Sequence, residues 1–185
     1  MLGQDKVTGF QQSKELVYAT AFWYEACRLH PSVSRNAKEA IEADVFPTGL
    51  KVNKGEFIFW SDWAIARNKQ GHWGPDADVF NPDRWIDEKG ALRRFTQWQF
   101  HAFNGGPRLC LGQNLATYEG VAALVAIVQN FDLQFAPGWL EKAELTKGLF
   151  NDPQPTPLYS FSLTLPMRNP MLVTVKRRAP TAPAA

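Results

Sequence analysis

Phe103-Asn104-Gly105-Gly106-Pro107-Arg108-Leu109-Cys110-Leu111-Gly112 is the stretch on which the reading of this chain turns. Two glycines and a proline cannot continue a helix or a strand. Glycine admits backbone angles closed to other residues, and proline fixes its own φ and donates no N–H. The chain must therefore turn tightly just ahead of Cys110. From Leu111 the pattern changes: Leu111, Leu115, Tyr118, Ala122, Val125 and Val128 recur at steps of four and three. That period predicts a helix over 111–131 with this face buried against the core. Cys110 then stands at a helix N-terminus, where free N–H groups and the helix dipole favour negative charge. The thiolate, the form that binds metal or attacks an electrophile, is favoured there. Arg108 adds positive charge two residues back and can reach an anionic ligand. Gly112 leaves room for something flat beside the helix start.

Composition bounds the rest. The chain has 185 residues, 45% of them hydrophobic and 13% aromatic, which suits one globular domain with a sizeable core. Twenty basic and eighteen acidic residues give a net charge of +2, with no dense basic stripe, so no nucleic-acid partner is expected. Lys176-Arg177-Arg178 reads as a solvated end. Two cysteines, Cys27 and Cys110, make no disulfide scaffold and fit a reducing compartment. Cys27 reads as a small core residue. No zinc spacing links the cysteines to His30, His72 or His101, and His30 and His101 read as packed or hydrogen-bonded. The longest apolar run, 121–128, is far short of the roughly 20 residues of a membrane span. Residues 1–12 carry no signal-peptide core, so neither anchor nor secretory signal is expected in this chain.

In chain order, residues 1–12 read as a polar leader. Ser13 is placed to cap a helix over 14–30 that Pro31 stops. Glu25 and Arg28 share a face of it and can pair. Strands are expected near 37–43 and 56–61, with turns at Pro47-Thr48-Gly49 and Asn53-Lys54-Gly55. Residues 62–67 read as a short helical turn, Asp87-Glu88-Lys89-Gly90 as a solvated turn, and 132–135 as strand-like. Pro137, Gly138, Gly148, Pro153, Pro155 and Pro157 make 136–158 mostly loop. Residues 160–165 and 172–176 suggest a terminal hairpin turned at 166–170. Residues 179–185 read as a disordered tail.

A thiolate at a helix start, with glycines clearing space and an arginine beside it, suits haem ligation, the thiolate pushing electron density onto iron and the arginine holding a propionate. The plain alternative is a structural cysteine after a glycine turn. The pattern Phe-x-x-Gly-x-Arg-x-Cys-x-Gly, filled by Phe103, Gly106, Arg108, Cys110 and Gly112, resembles the haem-binding loop of the cytochrome P-450 haem-thiolate monooxygenases. Glu25-Ala26-Cys27-Arg28 resembles the Glu-x-x-Arg helix of that family, and Pro82-Asp83-Arg84-Trp85 its Pro-x-Arg-aromatic motif. The resemblance implies a mainly α fold with small β-sheets (α+β), the C-terminal part of a cytochrome P-450 over 13–178. It also implies haem b as cofactor, Cys110 as axial ligand and catalytic thiolate, and Phe103 shielding it. Glu25, Arg28 and Arg84 become a buried structural triad, although taken alone Arg84 reads rather as a free surface charge following a proline turn. The segment 33–36 resembles one that borders the substrate pocket, where Arg35 reads as either a surface charge or a second propionate contact.

Flanking residues His101-Ala102-Phe103-Asn104-Gly105-Gly106 and Gln113-Asn114-Leu115-Ala116 look most like the fungal and plant alkane and fatty-acid hydroxylase branch. The implied reaction inserts one atom of O2 into a small lipophilic substrate, with electrons from a reductase and, for the full-length protein, an endoplasmic reticulum membrane location. Family members are much longer, so the chain is expected to be a partial one, lacking the distal haem half and inactive alone. Two other readings stand beside this: a non-catalytic remnant, and a cysteine-nucleophile hydrolase with Cys110 as nucleophile and His101 as base.

Overall fold

A computed structural model describes residues 15–146 and 156–179. The expectations for the leader 1–12, for Ser13 as a cap, for Gly148, Pro153 and Pro155, and for residues 180–185 of the tail lie outside the described residues.

The fold is α+β, as the resemblance implies. Helix α1 spans Val17–Leu29, beginning three residues later than the expected 14–30. Leu16 precedes it without a side-chain cap, and the Leu16 carbonyl takes the Thr20 N–H at 2.9 Å. Pro31 explains its end, since a residue ahead of proline is pushed out of the helical region. Two pairs of short strands follow. β1, Arg35–Glu39, lies antiparallel to β4, Phe57–Ser61, with Arg35 opposite Ser61 and Glu39 opposite Phe57. Between them β2, Asp44–Val45, pairs with β3, Lys51–Val52. The first strand is thus displaced from the expected 37–43. The chain turns at 46–50, where Gly49 sits at φ +87°, and so closes a separate small hairpin.

Helix α2, Asp62–Ala66, follows β4 directly and is capped by the Ser61 hydroxyl, which accepts the Ala64 N–H. A 3-10 turn, Pro82–Trp85, and a second at Gly106–Arg108 lead to the longest helix, α3, Gln113–Asn130. β5, Phe131–Phe135, leaves α3 without a break. After the short helix α4, Trp139–Lys142, β6, Val173–Arg177, pairs antiparallel with β5 over five residues. The expected hairpin of 160–165 with 172–176 does not form. The open edge of β5 takes β6 instead, and residues 160–165 bend around a bridge between Tyr159 and Met167. Lys176 and Arg177 of the expected solvated cluster belong to β6, and the Arg178 guanidinium donates to Asp132 at 2.7 Å.

The core lies between α1 and the segment 73–103. Ala21, Trp73, Ala77, Trp85 and Phe100 are buried together, with Tyr24, Cys27, Phe95 and Phe103 packed against them. Trp85 is the hub: its ring lies 4.8 to 5.5 Å from those of Phe100, Phe95, Tyr24 and Trp73. Cys27 is a core neighbour, as its helix position suggested, and burial pushes its thiol up to about 12.

Into this apolar core α1 inserts a carboxylate. Glu25, 0% exposed, accepts from Arg28 Nε at 2.7 Å and Nη2 at 2.8 Å, and from Arg84 Nε at 3.0 Å. The Asn81 N–H at 2.8 Å and the Trp85 indole N–H at 2.9 Å complete its shell. The structure therefore brings Glu25, Arg28 and Arg84 into one cluster. Arg28 also donates to the carbonyls of Ala66, Ala77 and Val79, the last two at 2.7 and 3.3 Å. Arg84 reaches the Trp73 carbonyl at 3.2 Å and Asp76 Oδ2 at 3.0 Å. One carboxylate and two guanidiniums thus tie α1 to α2, to the loop 73–79 and to the 3-10 turn at Pro82–Trp85.

Helix α3 departs most from its expected packing. Of its residues only Val121 is buried; Leu111, ahead of it, is fully exposed, and Leu115 and Val128 are 61% and 51% exposed. The packing face runs through Gly120 instead, where a Cβ would lie 2.4 Å from the ring of Trp23 on α1. A single small residue lets the two helices approach, and the period of large apolar residues does not report it.

Two outcomes follow from this packing. Replacing Gly120 with Ala drives a methyl into Trp23. It should cost about 1–3 kcal/mol by overpacking, despite the better helix propensity of alanine. Urea unfolding checks this, and Trp23→Leu in the same chain should recover most of the loss. Glu25→Gln leaves the buried Arg28 guanidinium without its counter-charge and Arg84 with Asp76 alone, and should cost about 3–5 kcal/mol. Burial pushes the Glu25 carboxyl up, but the bonds and charge of Arg28, with the Asn81 and Trp85 donors, bring it below the usual carboxylate range. Its folded value lies below its unfolded one, so its stabilisation is complete above the unfolded value and is lost as pH falls through the folded one. Unfolding midpoints of wild type and Glu25→Gln should accordingly converge on acidification.

Candidate functional site

The loop ahead of α3 is built by its own backbone. The His101 carbonyl accepts the Asn104 N–H at 2.9 Å, and Asn104 adopts a left-handed φ of +65°. Asparagine tolerates that conformation because its short side chain bonds locally; here its Oδ1 accepts the Gly105 N–H at 3.1 Å. Gly106 follows at φ +60° and donates to Gln97 Oε1 at 3.1 Å. A Cβ at Gly105 or Gly106 would lie 3.2 or 3.3 Å from the Trp98 indole, so Trp98 forms the floor of the loop. Pro107 sits in the 3-10 turn Gly106–Arg108, and the Leu109 N–H returns to the Gly106 carbonyl at 3.1 Å. The loop closes where the Cys110 N–H donates to the Phe103 carbonyl at 2.8 Å.

Cys110 is three residues ahead of the first residue of α3, two residues further out than expected, and its carbonyl accepts the Gln113 N–H at 3.3 Å. Residues 111 and 112 form a turn rather than helix, with Gly112 as the N-cap. The thiol side chain is exposed. A Cβ on Gly112 would meet nothing closer than Cys110 Sγ, at 3.8 Å, so the space beside the sulfur is open. Arg108 is exposed and forms no ion pair among the described residues. Leu109, Leu111 and Leu115 present exposed apolar side chains around the same loop. Phe103 is half-buried, its ring 5.9 Å from Phe100 and edge-on to it. It joins the loop to the core, and its carbonyl accepts the Cys110 N–H.

This donor set fits haem b. No cluster of three or more His, Cys, Asp or Glu among the described residues could hold a metal ion. Cys110 therefore offers one sulfur, which suits a metal whose other ligands come from a macrocycle. Arg108 offers one free guanidinium for a carboxylate, and the cleared glycine positions and exposed leucines offer a flat apolar face.

Glu25, Arg28 and Arg84 lie behind this loop in the core. Between them and the loop lies a cavity of about 10 Å³, lined by Arg28, Asp62, Trp73, Phe100 and His101, with room for about one water. His101 is committed elsewhere: its Nδ1 lies 2.7 Å from Asp62 Oδ1. No hydrogen bond joins His101 to Cys110 among the described residues, so the hydrolase reading finds no base in place. His30 Nδ1 meets the Tyr159 hydroxyl. Arg35 is exposed, its guanidinium 5.2 Å from the Phe161 ring. Sequence reasoning missed Asp62, Trp98 and Gly120. Trp98 is in an aromatic-rich run, which offered a signal; Asp62 and His101 are 39 residues apart and offered none.

The family described as Cytochrome P450 matches residues 1–159. The chain is 44% identical over 156 residues to Cytochrome P450 monooxygenase cyp1 of Mycosarcoma maydis, covering 83% of this chain and 23% of that protein. It is 35% identical to Noroxomaritidine synthase of Narcissus aff. pseudonarcissus MK-2014, covering 88% and 28%. It is 40% identical to Cytochrome P450 52-E3 of Starmerella bombicola, covering 66% and 24%. A crystal structure of a cytochrome P450 (CYP102L1) superposes with a TM-score of 0.68 at 27% identity, over 91% of this chain and 33% of that one. The chain thus spans about a quarter of the length of the curated relatives it matches. Haem b is the cofactor of that family, and by loop, fold and sequence this chain belongs to the cytochrome P450 family.

Proposed function

We propose that this chain supplies the thiolate side of a haem b site in a monooxygenase that inserts one atom of O2 into a lipophilic C–H bond. The observation that carries the reading is the Cys110 loop: a closed turn presenting one exposed sulfur, beside an open glycine face and a free guanidinium. Bound haem would supply the iron at which O2 is reduced and split. The chain's own residues do the rest. The Phe103–Cys110 backbone bond fixes the place from which Sγ leaves the loop. The Cys110 thiolate would hold the haem iron and supply it with electron density. Arg108 takes a propionate through charge-assisted hydrogen bonds. Gly112 keeps the space beside the sulfur clear of side-chain carbons, and Gly106 lets the loop rest on Trp98. Glu25, Arg28 and Arg84 hold the scaffold without touching substrate.

A fatty acid or alkane is the substrate class we favour. The residues flanking the loop, His101-Ala102-Phe103-Asn104-Gly105-Gly106 and Gln113-Asn114-Leu115-Ala116, support it through their resemblance to the alkane and fatty-acid hydroxylase branch. Electrons come on this reading from a separate reductase, and the complete enzyme works at the endoplasmic reticulum membrane. No helix among the described residues is long and apolar enough to cross a membrane. The 185-residue chain by itself is expected to bind haem without turnover.

The test is an absorbance spectrum of the haem-loaded chain, reduced, with and without carbon monoxide. The strongly red-shifted Soret band of a thiolate-ligated carbonyl complex should form and should vanish in Cys110→Ala. A band that survives that substitution overturns Cys110 as the ligand. Absence of the band in the wild-type chain favours a non-catalytic remnant. Arg108→Ala should keep the band and weaken haem affinity about tenfold, the scale of one hydrogen bond to a charged group, as read by titrating the Soret absorbance.

A further inference from the structure

Asp62 opens α2, is 5% exposed, and has no part in the loop chemistry described above. It is nevertheless well provided for. Asn36 of β1 donates to its Oδ2 at 2.5 Å, and His101 Nδ1 lies 2.7 Å from its Oδ1. An ionised carboxylate only accepts, so His101 Nδ1 carries the proton and the imidazole is fixed in one orientation. Burial pushes the Asp62 carboxyl above its usual range, against the opposing pull of His101, Asn36 and Trp60. Removing His101 therefore leaves a buried carboxylate short of a donor.

The imidazole in turn carries the loop. The Trp98 indole stacks on it at 6.3 Å and 21°, and the Trp60 ring meets it edge-on at 6.0 Å. Trp98 is the surface on which Gly105 and Gly106 rest. The His101 carbonyl starts the turn by accepting the Asn104 N–H, and Phe103, two residues on, accepts the Cys110 N–H. A continuous path thus runs from β1 through Asp62 and His101 to both supports of the cysteine loop: its Trp98 floor and its closing backbone bond. Arg28 lines the cavity beside His101 but is committed to Glu25.

We infer that His101, held by Asp62, is a positioning residue for the Cys110 loop, setting the Phe103 carbonyl and the Trp98 platform and so the aim of Cys110 Sγ. What Sγ would ligate rests on the function proposed above; the holding of the loop is a property of the chain itself and is read without haem.

The experiment is amide hydrogen exchange at Cys110 in the haem-free 185-residue chain, with Val121 of α3 as internal reference. His101→Leu and Asp62→Leu should each speed Cys110 exchange about tenfold, the scale of one lost hydrogen bond to a charged group, while Val121 is unchanged. The double variant should be no faster than the faster single one. His101→Asn places an amide nitrogen where Nδ1 stands and should restore slow exchange; His101→Gln, whose nitrogen stands further out, should not. Unchanged Cys110 exchange in His101→Leu overturns the inference. If the leucine variants lose Val121 protection as well, the Asn and Gln variants decide: slow Asn with fast Gln supports it, and equal rates overturn it. In the haem-loaded chain, the thiolate-type share of the carbonyl spectrum should fall in His101→Leu and persist in His101→Asn. A wild-type chain that binds haem without that band overturns the functional reading, while the exchange result still decides the role of His101.

Discussion

A buried carboxylate sets the terms for the rest of this structure. Glu25 is removed from water by Trp85, Trp73 and their neighbours, and a charge so placed is tolerated only when its lone pairs are filled. Five donors from four residues fill them. Each donor belongs to an element that must then be in place: α1 itself, residue 81, and the 3-10 turn that carries Arg84 and Trp85. The two arginines pass the constraint on, since their remaining N–H groups take carbonyls from α2 and from the loop 73–79. Apolar packing alone would accept several arrangements of these irregular segments. The polar cluster accepts one, because any other leaves a buried charge unpaired. The cluster therefore does for 62–85 what a sheet or a helical bundle does elsewhere: it gives irregular backbone a fixed set of partners.

That fixed block is what the cysteine loop stands on. Phe100 packs against Trp85, and Phe103 against Phe100, so the aromatic core runs from the carboxylate to the first residue of the loop. Asp62 and His101 make a second tie from the sheet side. The loop itself has almost no apolar interior, and its shape comes from backbone bonds and two left-handed residues, Asn104 and Gly106. Such a turn holds its place only if its ends do not move.

What was legible in the sequence, and what was not, follows from this division. The Glu25, Arg28 and Arg84 cluster was foreseeable because a family resemblance gave three separated residues one purpose; neither spacing nor charge alone joins Arg84 to Glu25. Helix α1 was legible from the proline that stops it, α3 from its apolar period, and strand β4 from a β-branched and aromatic run. The pairing of β6 with β5 was not, because the choice between a near partner at 160–165 and a distant edge at 131–135 is made by where α3 delivers the chain. The burial of α3 was misread for a related reason. Periodicity reports which face is apolar, not which face has a partner, and here the contact with α1 is set by Gly120, a residue with no side chain to count. The pairing of Asp62 with His101 had no sequence signal, since two elements distant along the chain meet only in the fold.

The exposed leucines around Cys110 bear on how the loop and a cofactor would depend on each other. Leu111 is 104% exposed and Leu115 is 61% exposed, on the side of the loop where Gly112 leaves open space. Apolar surface of this kind contributes nothing to the folded state until something covers it, at about 25 cal/mol per Å² removed from water. A flat apolar group seated there would take the place that core side chains take elsewhere. Whatever binds the folded loop and not the unfolded chain adds its binding free energy to stability. The loop is closed by few bonds and floored by the exposed Trp98, so it lies at the weakly held end of the structure. The polar cluster at Glu25 can hold the scaffold without help, whereas the cysteine loop gains most from its ligand. Stability is thus concentrated away from the sulfur, in the polar cluster and the aromatic core around it.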